Sequence, residues 1–310
     1  MTIVVQVSAG PGNWERYHAR LSQALLDAGI DATVTQTAAP ETVDYLVYAP
    51  SSPLQDFTAF NRCKAVLSLW AGVERVVGNP TLTQPLCRMV DPALTQGMIE
   101  WVTGHSLRHH LNLDQYINNP DRIWNPECPP LASERVIAML GIGALGQACA
   151  QSLRSLGFHV LGWSRAAKVI DGIQCYHGDD GLKSVLQQAQ IVVTLLPKTA
   201  ETENILNARA LGWLPQGAVI LNPGRGALID DDALLAALAT GQVAHATLDV
   251  FRVEPLPLDH PFWAHPQVTV TPHIAADTRP ATSAKVLAEN IRRGEAREPF
   301  LHLVDRHQGY

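Results

Sequence analysis

Short apolar, β-rich runs alternate along the chain with longer stretches whose apolar positions recur at helical spacing. Ile3 to Val7 predicts a strand, and Trp14, Tyr17, Leu21, Leu25 and Ala28 then predict a helix, with Asn13 as its cap and Gly29 as its stop. Tyr45 to Tyr48 and Ala65 to Leu69 add two more strands. After a change of composition at Asp91-Pro92, the pattern from Leu94 to about Ile117 predicts one long helix, ended by Asn118-Asn119-Pro120. A proline-rich connection, Pro126-Glu127-Cys128-Pro129-Pro130, leads into a second alternating region. There the predicted strands are Val136 to Leu140, His159 to Gly162, Ile191 to Leu195, Ala218 to Leu221, His245 to Leu248 and Val268 to Val270. Helical segments fill most of the gaps, and a last helix is predicted from about Arg279 to Arg293. Strands separated by helices are the product of right-handed βαβ crossovers, so the expected fold class is α/β with a doubly wound parallel sheet.

Composition narrows the possibilities. A chain of 310 residues makes two domains or one large one. With 46% hydrophobic and 17% charged residues it lies far from the disordered class. Lys and Arg number 23 against 29 Asp and Glu, a net charge of −6, which argues against nucleic acid or an anionic membrane as partner. No apolar run approaches the roughly 18 residues of a spanning helix, and the start reads as a strand rather than a secretory leader. The expected location is the cytoplasm. The five scattered cysteines, Cys63, Cys87, Cys128, Cys149 and Cys175, form neither a disulfide framework nor a zinc ribbon. His105 and His109 have the i, i+4 spacing that can hold a metal, yet no acidic partner motif accompanies them, so no metal is expected.

The most specific signal is Gly141-Ile142-Gly143-Ala144-Leu145-Gly146, placed directly after the Val136 to Leu140 strand and before a helix-like stretch. In that context Gly141 permits a tight turn, Gly143 a close approach to a pyrophosphate, and Gly146 the packing of helix on strand. The N–H groups at the start of the helix, at Ala144, Leu145 and Gly146, face the anion. The second strand runs into Trp163-Ser164-Arg165-Ala166-Ala167-Lys168 and lacks the carboxylate that would bind ribose hydroxyls in an NAD site. Ser164, Arg165 and Lys168 suit a 2′-phosphate instead, so NADP(H) is expected in preference to NAD(H).

Three further segments follow strands of the same sheet: Leu221 to Gly226, Leu248 to Pro255, and Thr271 to Ala276. Ligands bind at the carboxyl ends of such strands. Arg225 offers a planar fork to a 2-oxo acid, His273 can exchange a proton with its carbonyl oxygen, and Glu254 can hold the imidazole and favour its protonated form.

With these segments, the Leu196-Pro197-Lys198-Thr199-Ala200-Glu201-Thr202 stretch and the glycine loop in place, the chain resembles the D-isomer-specific 2-hydroxyacid dehydrogenase family over most of its length. Within that family it is most similar to the short, NADP-preferring glyoxylate/hydroxypyruvate reductase branch. The resemblance implies a Rossmann cofactor domain at 96–275 and a smaller flavodoxin-like substrate domain split between 1–95 and 276–310. It also implies a homodimer, with the long helix and the segment around Trp124 contributing to the contact.

By the same resemblance, Arg225 corresponds to the substrate-binding arginine, Glu254 to the acid that raises the pKa of the histidine, and His273 to the acid/base. Leu196, Pro197 and Thr202 line the cofactor, and Asn222 and Asp249 stand near the nicotinamide. Trp70, Ala71, Gly72 and Val73 form the loop that receives a substrate carboxylate. Trp70 and Glu74 depart from the smaller residue and the Asp common there, and bulk at Trp70, with Trp101, suits a small acid. The implied reaction is NADPH-dependent reduction of glyoxylate and hydroxypyruvate to glycolate and D-glycerate. Another branch of the family, or a non-catalytic nucleotide sensor on the same fold, is the alternative reading.

Overall fold

The computed structural model describes residues 2–306. It separates into two compact units: the chain up to Leu94 together with the chain from Asp277 onward, and Thr95–Ala276.

The first unit contains β1 (Ile3–Ser8), α1 (Asn13–Asp27), β2 (Ala32–Thr35), β3 (Tyr45–Tyr48), β4 (Ala65–Ser68), β5 (Leu86–Cys87) and the C-terminal helix (Pro280–Glu295). Its strands are all parallel in the order β2-β1-β3-β4-β5, a flavodoxin-like arrangement. The C-terminal helix belongs to this unit because its Leu287, Ala288 and Ile291 share one apolar cluster with Tyr17, Leu21 and Leu25 of α1 and Val5 and Val7 of β1. A bond between the Tyr17 and Ser283 hydroxyls at 3.1 Å adds a polar tie between the two helices.

The second unit opens with α2 (Pro92–His110), whose first residues precede the unit boundary, and α3 (Asp114–Ile117). There follow β6 (Val136–Leu140), α4 (Ala144–Ser155), β7 (His159–Ser164), β8 (Gln174–His177), α5 (Gly178–Leu186) and β9 (Ile191–Thr194). The remainder is α6 (Ala208–Leu211), β10 (Ala218–Asn222), α7 (Asp231–Ala239), β11 (Val243–Leu248) and β12 (Val268–Val270). The parallel order β12-β11-β10-β9-β6-β7-β8 is that of a Rossmann sheet with one added strand, so the order reverses between β6 and β9. The near-continuous apolar runs are explained by burial on both faces. Ala138, Leu140, Val192 and Ile220 enter one core, and Ile137, Met139, Val193 and Leu221 enter the other.

The α/β class expected from the alternation is the observed one. Three strands escaped the sequence pattern: β2, β5 and β8 are short, and β2 and β8 are only partly buried. Gly12, in a left-handed conformation, occupies the cap position of α1, while the Asn13 amide donates to the Ala9 carbonyl at 2.6 Å. The predicted long helix from Leu94 to Ile117 is interrupted after His110. Asn112 adopts φ 53°, its N–H bonds the His109 carbonyl at 3.2 Å, and the Leu113 N–H bonds the Arg108 carbonyl at 2.9 Å. This is a Schellman stop, which asparagine tolerates better than other non-glycine residues. Among the described residues no helix is long and apolar enough to cross a membrane.

Ile291 is completely buried in the cluster that joins the C-terminal helix to the N-terminal strands. Ile291→Ala is expected to cost about 2–5 kcal/mol, read as a lower urea midpoint for the first unit. An unchanged midpoint would show that the helix does not contribute to that core.

Candidate active site

All the strands of the second sheet point the same way, so the loops after β6, β7, β9, β10, β11 and β12 emerge at one edge. The sequence-selected residues of this unit lie in those loops or at the strand ends that lead into them.

After β6, Gly141 has φ 101°, and a Cβ there would stand 2.5 Å from the Leu195 carbonyl oxygen in the loop after β9. A Cβ on Gly146 would stand 1.8 Å from the Gly141 carbonyl oxygen. Both glycines are therefore required by the protein itself. Gly143 differs, because a Cβ there would meet nothing within 4 Å. It caps α4 without a side-chain bond, and Ala144, Leu145 and Gly146 form the first turn, whose N–H groups have no earlier helical carbonyl. Open space at Gly143 beside a helix N-terminus fits the pyrophosphate of a dinucleotide.

At the end of β7, Ser164 is buried and its hydroxyl donates to the Ala166 carbonyl at 2.8 Å. Arg165 and Lys168 are exposed, and the Lys168 ammonium reaches back to the Ile142 carbonyl at 3.1 Å, joining the basic turn to the glycine loop. The Glu201 carboxyl is held below its ordinary range by its bond with Thr199, by a backbone N–H and by the charge of Arg165. In the same segment Thr202 donates to the Pro197 carbonyl at 2.7 Å and accepts from the Thr199 N–H at 2.8 Å, which fixes the turn after Leu196.

The loop after β10 carries Arg225 between two tightly constrained glycines. A Cβ on Gly224 would lie 2.7 Å from the Thr194 carbonyl oxygen, and one on Gly226 would lie 2.0 Å from the Phe251 carbonyl carbon. The Arg225 backbone is thus threaded between the β9 and β11 loops. Buried Asn222 completes the loop: its side-chain oxygen accepts from the Thr194 hydroxyl at 2.6 Å and the Gly224 N–H at 3.1 Å, and its amide donates to the Arg225 carbonyl at 3.0 Å.

His273 and Glu254 meet directly, with Nδ1 to Oε2 at 2.8 Å. The other Glu254 oxygen accepts the Phe251 N–H at 2.9 Å. His273 has φ 54°, a left-handed conformation held by bonds from its N–H to the carbonyls of Asp249 at 2.8 Å and Thr271 at 3.0 Å. The Asp249 carboxylate is completely buried and clamps the same loop. It accepts from the Thr271 hydroxyl at 2.5 Å, the Ile274 N–H at 2.9 Å and the Ala275 N–H at 2.8 Å.

The bond to Glu254 raises the His273 pKa above its ordinary 6.5 against the opposing effect of burial, with help from the charges of Glu254 and Asp249. Glu254 is pushed up by burial, but the bonds from His273 and Phe251 and the charges of His273 and Arg225 prevail and leave it below 4.5. The ion pair therefore persists from below the ordinary carboxylate range to above the ordinary imidazole range. Its contribution to stability is lost when pH falls through the lowered Glu254 pKa or rises through the raised His273 pKa.

In the first unit, Trp70, Ala71, Gly72 and Val73 follow the carboxyl end of β4. The Trp70 N–H bonds the Ser68 hydroxyl at 3.0 Å and its carbonyl accepts the Met89 N–H at 3.0 Å. Val73 is buried, whereas Trp70 is 38% exposed and is not a core tryptophan. Trp101, in the second unit, has a buried indole N–H without a partner and packs against the His105 ring.

The family model described as D-isomer specific 2-hydroxyacid dehydrogenase, NAD binding domain, matches residues 105–275. The chain belongs to this family. The glyoxylate/hydroxypyruvate reductase A of Serratia proteamaculans is 39% identical to this dehydrogenase over 307 residues, covering 96% of this chain and 97% of that protein. A D-isomer specific 2-hydroxyacid dehydrogenase from Xanthobacter autotrophicus Py2, solved in complex with NADPH and MES, superposes with a TM-score of 0.92 at 37% identity and full coverage of both chains. The NADPH-dependent glyoxylate/hydroxypyruvate reductase of Sinorhizobium meliloti, solved with NADP and sulfate, gives 0.86 at 32% identity, again with full coverage.

Sequence reasoning did not find Thr194 and Thr271, whose hydroxyls fix Asn222 and Asp249, nor the Lys168 bond to the glycine loop. The only available signal was their position at strand ends.

An NMR titration of the His273 ring is expected to give a pKa above 6.5, falling toward or below that value in Glu254→Gln. Equal values in the two proteins would contradict the pairing.

Proposed function

We propose that this dehydrogenase reduces short 2-oxo acids, glyoxylate to glycolate and hydroxypyruvate to D-glycerate, with NADPH as the preferred reductant. The paired His273 and Glu254, at the same edge of the sheet as the open Gly143 turn and a carboxylate-free basic turn, is the observation that carries the reading. The Xanthobacter and Sinorhizobium structures, both solved with the phosphorylated dinucleotide, support the choice of cofactor.

In this reading NADPH, when bound, supplies a hydride equivalent to the carbonyl carbon of the substrate. Gly141, Gly143 and the first turn of α4, at Ala144, Leu145 and Gly146, hold the pyrophosphate. Arg165 and Lys168 hold the 2′-phosphate, joined by Ser164 when its hydroxyl turns from the Ala166 carbonyl to the phosphate, and Leu196, Pro197 and Thr202 form the wall beside the dinucleotide. Asn222 and Asp249 shape the nicotinamide end by fixing the Arg225 and His273 loops. The Arg225 guanidinium binds the substrate carboxylate and carbonyl oxygen, and His273 donates its proton to that oxygen as the C–O π bond breaks. Glu254 keeps the ring protonated before the step and orients it throughout. The product is the 2-hydroxy acid, and solvent reprotonates His273.

The split first unit serves as the substrate-binding domain and 95–276 as the cofactor domain. Trp70, Ala71, Gly72 and Val73 receive the substrate carboxylate, and Trp70 limits its size. The protein acts in the cytoplasm as a homodimer, a reading supported by the exposed apolar Ile117, Ile123 and Trp124 beyond α2.

Loss of NADPH absorbance with glyoxylate, hydroxypyruvate and pyruvate tests the proposal. Turnover is expected with the first two acids, with a drop of roughly 10²- to 10⁴-fold in His273→Ala. NADPH binding without turnover on any of these acids would overturn it. Arg165→Ala is expected to raise KM for NADPH by roughly tenfold or more, the worth of a charge-assisted hydrogen bond, and to leave KM for NADH unchanged. Equal losses for both cofactors would overturn the 2′-phosphate assignment.

A further inference from the structure

The second unit gathers three potential metal ligands that the proposed reduction does not use. We propose that His109, Asp114 and His245 form a divalent-cation site suited to zinc.

The three residues come from separate elements: the last turn of α2, the first residue of α3, and β11. One ligand atom from each lies within 4.8 Å of the others. The Schellman stop at Asn112 makes this possible, because it turns the chain back on the helix end and brings Asp114 beside Arg108. The His109 and His245 rings stand 4.8 Å apart between centroids. His105, the i, i+4 partner of His109 in the sequence, instead packs on Trp101 at 4.4 Å.

Both imidazoles are anchored in the way metal-binding histidines are anchored. His109 Nε2 bonds the Thr247 hydroxyl at 2.9 Å, and His245 Nε2 bonds the Thr269 hydroxyl at 2.9 Å. Thr247 and Thr269 are opposite one another in the β11–β12 pairing. With Nε2 committed to a hydroxyl, Nδ1 is the nitrogen left on each ring for a metal, and such outer contacts orient the ligand. Burial lowers both pKa values, to about 3 for His109, where the charges of His245 and then Arg108 add to it, and to about 4 for His245, where Arg108 adds to it.

Arg108 bonds one Asp114 oxygen at 2.7 Å and leaves the other for an ion, while the Asp114 carboxylate offsets the guanidinium charge. The three residues line a cavity of about 360 Å³ that Gln115, Glu127 and Cys128 also border, which leaves room for the ion and a water. Zinc takes histidine nitrogen and carboxylate oxygen at about 2.0–2.2 Å, so closure needs side-chain movement of about 1 Å. Asp114, with its side chain 31% exposed, is placed to make it. Two imidazoles and a carboxylate favour zinc or a neighbouring transition metal over calcium or magnesium, which prefer all-oxygen sites.

The full chain, stripped with chelator, is titrated with Co²⁺ alone and followed by its visible absorption. One Co²⁺ per chain is expected, displaceable by Zn²⁺. His245→Gln and Asp114→Asn are each expected to weaken binding at least tenfold, and Thr269→Val, which keeps all three ligands and frees the His245 ring, by roughly tenfold. The far-UV spectrum and urea midpoint of each variant show that it is folded. No saturable Co²⁺ binding by the wild type would overturn the site, as would folded His245→Gln or Asp114→Asn that binds as tightly as the wild type.

Discussion

The organisation of the candidate active site depends on one buried carboxylate. Asp249 is completely inaccessible, and a carboxylate in that position is costly unless its oxygens are satisfied. It satisfies them with the Thr271 hydroxyl and the Ile274 and Ala275 N–H groups, all in the loop after the neighbouring strand. That loop contains His273, which adopts a left-handed conformation that a histidine would not choose in isolation. The clamp over-determines the backbone around the residue, as a functional site with a strained backbone requires. Only with His273 so presented does its ring meet Glu254 at 2.8 Å and acquire a raised pKa.

The same economy governs the other loops at this edge of the sheet. Asn222 and Thr194 join the ends of adjacent strands, as Asp249 and Thr271 do. Gly224 and Gly226 let the Arg225 backbone pass against Thr194 and Phe251, where any Cβ would collide. The glycines flanking Arg225 thus reflect close backbone approach rather than a loose surface turn. Gly141 and Leu195 meet at the point where the strand order reverses, the place where doubly wound sheets bind ligands.

Much of this was legible in the sequence because the informative signals are local. A glycine motif between a strand and a helix, and apolar runs separated by helical patterns, declare themselves within a few tens of residues. The parallel α/β class followed from them, and the family followed from the glycine loop together with the Leu196–Thr202 stretch and the segments that carry Arg225, Glu254 and His273. What the sequence concealed depends on register between distant segments: the Thr194–Asn222 and Asp249–Thr271 bonds, and the meeting of His109 with His245. The break in the helix after His110 was masked because Leu111 and Leu113 continue the apolar spacing, whereas the stop is written in the single residue Asn112. The strands β2 and β8 were missed because they are only partly buried and lack the continuous apolar run that marks the equally short β3, β4 and β9, and β5 because it has only two residues.

In the proposed reduction Glu254 keeps His273 protonated as the acid, and the pH dependence of kcat/KM for glyoxylate reads that role at the step itself. His273 has a pKa raised above 6.5 by its bond to Glu254, so activity is predicted to fall as the ring loses its proton, at a higher pH than an unpaired imidazole would set. In Glu254→Gln that fall is predicted to move to lower pH, with the acid-side activity reduced less than the alkaline. An alkaline limb at the same pH in both proteins would contradict that role for Glu254.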